Sequence, residues 1–252
     1  MKKENKVALI TGSGAKRIGN HIAFALAEEG FDIAVHYNTS HEEAAETVNA
    51  LKKKYTINVA AYQANLTNEQ EVKGLVQKVF DDFGSIDVLI NTAAAYKKIL
   101  FEKITGSDVL FFFKVNTLST FLCSKYVGEK MIKQKEGGII INFADWAIER
   151  PYVNYAAYFP SKGAIPTMTR SLAQELGKRN PRVRVNCISP GPMMLPPDMP
   201  KEEKEKAIAQ TIVKREGSLK NISLAVIHFI ENDFVTGQNL NVDGGRGIFS
   251  NE

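Results

Sequence analysis

The stretch FADWAIERPYVNYAAYFPSK, Phe143 to Lys162, contains three side chains of the types needed for proton transfer: Asp145, Tyr158 and Lys162. Tyr158 and Lys162 are four apart, which places them one turn apart on one face of a helix. Asp145 stands 13 residues before the tyrosine (158 − 145 = 13). A free tyrosine has a pKa of about 10, too high to exchange protons readily at pH 7. A neighbouring ammonium favours the phenolate and lowers that value, so the pair can make a general acid. The spacing alone says little, because any helix can carry it by chance. The plain alternative for Asp145 is local: a turn cap, or an ion pair with Arg150.

The elements that must position these residues follow from hydrophobic patterning. The runs 6–10, 32–37, 57–63, 86–91, 138–143, 183–188 and 239–243 read as strands, several of them continuously apolar as strands buried on both faces should be. Helix-length amphipathic segments separate them: 18–30, 41–55, 68–84, a long one near 107–135, one from about 154 to 178, and one near 220–231. Gly30 and Gly84 stand where helices should stop. Such alternation predicts an α/β fold, a doubly wound parallel sheet covered by helices on both faces. No linker, repeat or low-complexity tract interrupts it, so residues 1–252 are read as one domain. Pro160 falls inside the expected helix and should distort it unless the helix begins later. The longest irregular stretch, 189–200, holds prolines at 190, 192, 196, 197 and 200 and precedes a charged segment. It lies after a strand, where open α/β sheets bind ligands. A substrate-covering loop and helix is expected over about 189–216, with Met193 and Leu195 as candidate contacts.

Composition narrows the partners. The formal charge is +4, with basic and acidic residues interspersed and no basic stripe, so no nucleic-acid partner is expected. No stretch approaches the ~20 apolar residues of a membrane span, and the N-terminal apolar run is too short for a signal-peptide core. Cys123 and Cys187 form no CxxC pair and read as buried free thiols of a reducing compartment. Together these predict a cytoplasmic protein with a small-molecule substrate. No metal site is expected.

The turn ALITGSGAKRIGNHIA joins the first strand to the first helix. Gly12, Gly14 and Gly19 allow close approach of a diphosphate, and a helix N-terminus at Ile18 adds a favourable dipole. At the end of the second strand, where an NAD site normally carries Asp or Glu, stand His36, Tyr37 and Asn38. No acid is there to repel a 2′-phosphate, and Lys16 and Arg17 face it from the glycine loop. NADP(H) is therefore expected over NAD(H).

With these pieces in place, the chain resembles the short-chain dehydrogenase/reductase family over essentially its whole length. The resemblance rests on TGSGAKRIG, ANL (64–66), NTAA (91–94), Asn116, Tyr158 with Lys162, SPGP (189–192) and DFVTGQNLNVDGG (233–245). It implies a Rossmann-like sheet of seven parallel strands, a nicotinamide cofactor and a homotetramer. It implies Tyr158 as proton donor, Lys162 as its pKa tuner and ribose ligand, and Asn116 as holder of a relay water. Asn65 with Leu66, Asn91 with Ala93, and Pro190 with Gly191 are implied along the cofactor.

Departures from the family pattern carry information. The glycine loop is one residue longer than usual, which leaves open whether Ser13, Gly14 or Ala15 meets the diphosphate. Arg17 stands where the middle glycine usually lies. The usual catalytic serine is Asp145. These features resemble the subgroup of pteridine reductases and bacterial dihydromonapterin reductases. In that subgroup an aromatic residue stacks on the pterin, and Tyr96 holds its position. Trp146 either lines the pocket or packs inward. The expected activity is NADPH-dependent reduction of a pterin-like C=N bond. The alternatives are a carbonyl reductase acting on 3-oxoacyl or sugar ketones, and a non-catalytic NADP sensor. Against a ketone stands the view that an ionised Asp145 only accepts hydrogen bonds.

Overall fold

The computed structural model describes residues 5–195 and 199–250. Seven strands form one parallel sheet: β1 (Val7–Thr11), β2 (Asp32–Tyr37), β3 (Val59–Gln63), β4 (Val88–Asn91), β5 (Gly138–Phe143), β6 (Val183–Pro190) and β7 (Asn239–Val242). Their spatial order is β3-β2-β1-β4-β5-β6-β7. The direction of winding reverses between β1 and β4, and that switch point opens a crevice beyond the strand C-termini. Thr11 pairs with Asn91, and Asn91 with Asn142, so the C-terminal ends of β1, β4 and β5 line up at that edge.

The strands alternate between two cores. Ala8, Ile10 and Ile141 face α1 (Ile18–Glu28), α2 (His41–Lys54) and α8 (Leu219–Glu231). Leu9, Leu89 and Ile140 face α3 (Glu69–Phe83), α5 (Ser119–Met131) and α6 (Phe159–Gly177). Both faces are dry, which is why the strands read as unbroken apolar runs. Each fully buried Leu or Ile contributes roughly 1.5–3 kcal/mol. The expected stops hold: Gly84 and Gly30 both take φ +81 at helix ends. No helix among the described residues is long and apolar enough to cross a membrane.

Two helices differ from the sequence reading. The segment expected as one helix over 107–135 is α4 (Gly106–Phe112), a π-helical turn over Phe113–Leu118, then α5. The widened turn carries Asn116 into the interior, a placement typical of functional π-bulges. The helix expected from 154 begins at Phe159, because Asn154 takes φ 70 and its carbonyl is bound by the Ile99 N–H at 2.9 Å. Pro160 therefore lies in the first turn, where a missing N–H costs nothing. The interior proline is Pro166, which by the i→i−4 pattern withholds a donor from the Lys162 carbonyl.

Candidate active site

At the switch point, Gly12 takes φ +67, and a Cβ there would stand 3.0 Å from the Ala93 Cα. Gly19 has no room either: a Cβ would collide with the Thr92 hydroxyl. The loop is pinned from below by His36. The Gly12 N–H donates to His36 Nδ1 at 3.0 Å, and the Ser13 and Gly14 N–H groups donate to the His36 carbonyl at 3.1 and 3.3 Å. His36 Nε2 then donates to the Ala64 carbonyl at 3.0 Å, which fixes a neutral tautomer. Burial pushes the imidazole pKa down to about 4. His36, expected along the cofactor, is thus an inward brace. Gly14 is turned inward as well: its N–H is engaged, and its carbonyl accepts from Thr47 Oγ1 at 2.7 Å.

Outside that brace, Lys16 and Arg17 are exposed. Arg17 caps α1 without any side-chain hydrogen bond, and the first turn of α1 holds no acid. The Arg17 N–H is spent on the Ala15 carbonyl at 2.7 Å, so the free N–H groups of the first turn of α1 fit a diphosphate, and the two cations fit a further phosphate. Tyr37 is half-buried against His41, and Asn38 is exposed, both facing this end. Asn65 and Asn91 are placed differently from expectation. The Asn65 side chain accepts from the Thr67 N–H and hydroxyl in a local turn, with Leu66 buried beside it. Asn91 donates to Ser124 Oγ at 3.0 Å and Asn142 Oδ1 at 2.9 Å, bracing β4 against β5. The Ala93 N–H donates to Thr11 Oγ1 at 3.1 Å.

The candidate proton-transfer residues converge at the end of β5. The Tyr158 hydroxyl donates to Asp145 Oδ2 at 2.9 Å. Asp145 Oδ1 accepts from the Ala147 N–H at 2.9 Å, capping the short turn Trp146–Ile148. The local cap and the link to Tyr158 coexist; Arg150 binds elsewhere. The Lys162 ammonium, fully buried, donates to the Phe143 carbonyl at 2.7 Å. Asn116 clamps both polar groups of the Ala95 backbone, at 2.8 and 3.1 Å, and donates to Ser161 Oγ at 3.0 Å. Ser161 in turn donates to the Tyr158 carbonyl at 2.6 Å.

The electrostatics correct one expectation. Lys162 does not draw the Tyr158 pKa down here. Burial raises it, and the adjacent Asp145 charge raises it further, so the phenol holds its proton. Burial also raises the Asp145 carboxyl above its usual range, opposed by its hydrogen bonds from Ala147 and Tyr158 and by the charges of Lys162 and Arg246. Lys162 is lowered by burial, with the Asp145 charge opposing. The site is a hydrogen-bonded acid pair, Tyr158 over Asp145, each favouring its neutral form more than in water.

Aromatic rings wall this pair. Tyr96 stacks on Tyr155 with centroids 4.9 Å apart, meets the Tyr158 ring edge-on at 5.0 Å, and reaches the Tyr152 hydroxyl at 3.3 Å. Trp146 packs inward, with the Arg246 guanidinium 4.6 Å over its ring. Tyr152, Tyr155 and Arg246 escaped the sequence reading. The tyrosines at 152, 155 and 158, three apart, were the available signal; Arg246 gave none.

The segment expected to cover substrate begins at the end of β6. The Gly191 N–H, following Pro190, donates to the Val242 carbonyl at 2.9 Å. Met193, expected against substrate, is buried in the core, where with Pro192, Val213 and Asp243 it lines a cavity of about 320 Å³ that does not include Tyr158. The Leu195 N–H donates to Glu216 at 3.2 Å, and Glu216 also pairs with Lys204 of α7 (Lys201–Ala209) at 3.4 Å. Pro196 and Pro197 lie outside the described residues.

Residues 14–246 match the family model described as enoyl-(acyl carrier protein) reductase. The chain belongs to the short-chain dehydrogenase/reductase family. It is 32% identical over 249 residues to the 3-oxoacyl-[acyl-carrier-protein] reductase FabG of Staphylococcus aureus, covering 96% of this chain and 98% of that one. It is 34% identical over 249 residues to the 3-oxoacyl-[acyl-carrier-protein] reductase of a Synechocystis species, covering 97% and 98%. The crystal structure of acetoin dehydrogenase from Enterobacter cloacae superposes with a TM-score of 0.87 at 30% identity, covering 100% of this chain and 99% of that one. As a short-chain dehydrogenase/reductase the protein is a nicotinamide-dependent oxidoreductase, with the fold that its strand order displays.

Proposed function

We propose that this short-chain dehydrogenase/reductase is an NADPH-dependent carbonyl reductase, acting on a ketone of the 3-oxoacyl type. The observation that carries the reductase reading is the 2.9 Å hydrogen bond from Tyr158 to Asp145 over a buried Lys162. The names of the relatives favour a ketone over the pterin expected from the sequence. The physical objection to a ketone also weakens. Burial raises the Asp145 carboxyl above its usual range, so its charge is held less firmly than in water, and the Tyr158 hydroxyl beside it supplies a donor for the carbonyl oxygen.

When bound, the nicotinamide supplies a hydride to the carbonyl carbon. Tyr158 gives its hydroxyl proton to the oxygen that becomes the alcohol. Asp145, which accepts from that hydroxyl at 2.9 Å, orients it before transfer. Lys162, fixed by the Phe143 carbonyl at 2.7 Å one helical turn from Tyr158, would hold the cofactor ribose. Asn116, through Ala95 and Ser161, fixes the loop carrying Tyr96 and the backbone carrying Tyr158. Lys16 and Arg17, with Asn38 in place of an acid, support NADP(H) over NAD(H).

A second reading, reduction of a pterin C=N bond, is favoured by Asp145 in the serine position and by the half-exposed Tyr96 ring as a stacking wall. Self-association into a homotetramer is part of the proposal. The exposed Leu110, Phe111, Leu118 and Phe121 along α4, the π-helical turn and α5 support it, and light scattering of the purified protein tests it. The activity is tested by NADPH oxidation with acetoacetyl-CoA beside dihydrobiopterin. Turnover of the thioester well above the pterin is expected; the reverse order would move the assignment to the second reading.

A further inference from the structure

Arg246 is a half-buried cation that makes no ion pair among the described residues; the Asp145 and Asp243 charges act on it only from beyond contact distance. The closest candidate in sequence, Asp243, has its carboxylate engaged by the Gly245 and Gly247 N–H groups at 2.9 and 2.7 Å. Arg246 Nη2 reaches only the neutral Gln210 Oε1, at 3.2 Å. Its Nε is the one buried side-chain nitrogen or oxygen without a hydrogen-bond partner among the described residues. A buried donor left unmade is costly, and native folds rarely retain one without a use.

The group is held in place from three directions. Its plane lies over the Trp146 ring, one residue from Asp145. Arg150, on the loop after that turn, donates to the Arg246 carbonyl at 3.1 Å and to the Phe249 carbonyl, gripping the C-terminal turn Arg246–Ile248. Gln210, just past the end of α7, ties Arg246 to the helix of the substrate-covering segment. The guanidinium thus bridges the Asp145 turn and that segment, with donors unspent. Such a fork is suited to an oxygen acceptor.

We propose that Arg246 is a specificity-determining residue that binds a second oxygen acceptor of the substrate, beyond the bond being reduced. The chemistry shared by its possible sources is an acyl oxygen: the carboxylate of a free oxo acid or the carbonyl of an oxoacyl thioester. This rests on the carbonyl-reductase reading for turnover, but the binding can be measured without it. Trp146 is the only tryptophan of the chain, so a ligand that engages Arg246 is reported by its fluorescence.

The test titrates the native protein, with NADP⁺ bound, against acetoacetate, acetoacetyl-N-acetylcysteamine and 2-pentanone, which lacks the second oxygen. At least one of the two acyl compounds should perturb Trp146 emission saturably and bind about ten- to hundredfold tighter than 2-pentanone, the range for a charge-assisted hydrogen bond. Which of the two binds tighter names the source. In Arg246→Met, which keeps an unbranched chain over the indole, the ratio of kcat/KM for the acyl compound to that for 2-pentanone should fall by a similar factor, with Arg246→Lys between. Equal binding of all three compounds by the native protein, or an unchanged ratio in Arg246→Met, would overturn the inference. If no ketone is reduced yet the fluorescence selectivity is present, the carbonyl-reductase reading fails and the Arg246 site stands.

Discussion

His36 makes stability and cofactor binding respond to mild acid. The imidazole is buried and neutral, accepts from the Gly12 N–H, and has its pKa pushed down to about 4 from an ordinary 6.5. In the unfolded chain it gains a proton as pH falls through 6.5; in the folded chain it does not until pH 4. The unfolded state therefore binds more protons in this window, and stability is lost as pH falls from about 6.5 to about 4. The full effect is 2.5 pKa units (6.5 − 4), or about 3 kcal/mol at about 1.4 kcal/mol per unit. Between pH 7 and pH 5 the loss from this one group is about 2 kcal/mol. For a chain of this length that corresponds to a Tm change of about 4–8 °C. His36→Gln removes the titration and part of the brace. The variant should be less stable at pH 7, yet its stability should fall less between pH 7 and pH 5 than that of the native protein. Urea denaturation of both at the two pH values gives the difference directly. NADPH affinity should weaken with the same variant, because Gly12, Ser13 and Gly14 lose their anchor. Parallel pH dependences in the two proteins would refute the buried neutral His36.

Much of this was legible in the sequence where the signal is local. Continuous apolar runs gave the strands because both sheet faces are covered, and the glycines at 30 and 84 marked helix ends because only glycine takes positive φ cheaply. Pro160 also carried a readable first-turn signal. The π-helical turn at Asn116 was not legible, since its cause is a clamp on Ala95 and Ser161, 21 and 45 residues away. The spacing of Tyr158 and Lys162 showed that they share a helical turn, but not that the ammonium would be spent on the Phe143 carbonyl while Asp145 set the tyrosine's proton. His36 looked like a cofactor neighbour because its position on β2 was visible and its partner loop was not. The Arg150–Arg246 clasp joins segments 96 residues apart, and no periodicity points to it.

Other outcomes follow from the same geometry. Tyr158→Phe should lower kcat about 10²–10⁴-fold, the usual worth of a general acid, while its ring stays packed and NADPH binding holds; stopped-flow turnover and a fluorescence titration check both. Asp145→Asn removes a buried carboxyl whose pKa the fold raises. A raised carboxyl pKa means the folded state binds more protons just above the ordinary value, so native stability declines as pH climbs through that window, and the variant should lose that decline in calorimetric scans from pH 4 to 7. NADPH should bind more tightly than NADH, and Asn38→Asp should narrow the gap by placing a negative charge where the 2′-phosphate would lie; paired titrations of the two cofactors decide.

The central claim is hydride transfer to a ketone with Tyr158 as the proton source. It is tested most directly by a single turnover with NADPH deuterated at the transferring position of the nicotinamide and acetoacetyl-CoA as acceptor. Mass spectrometry of the product should find one deuterium, bonded to the carbon that bore the ketone, with the native protein, and almost none in the same time with Tyr158→Phe. Unlabelled or absent product from the native protein, or equal labelling by the Phe variant, would contradict the account.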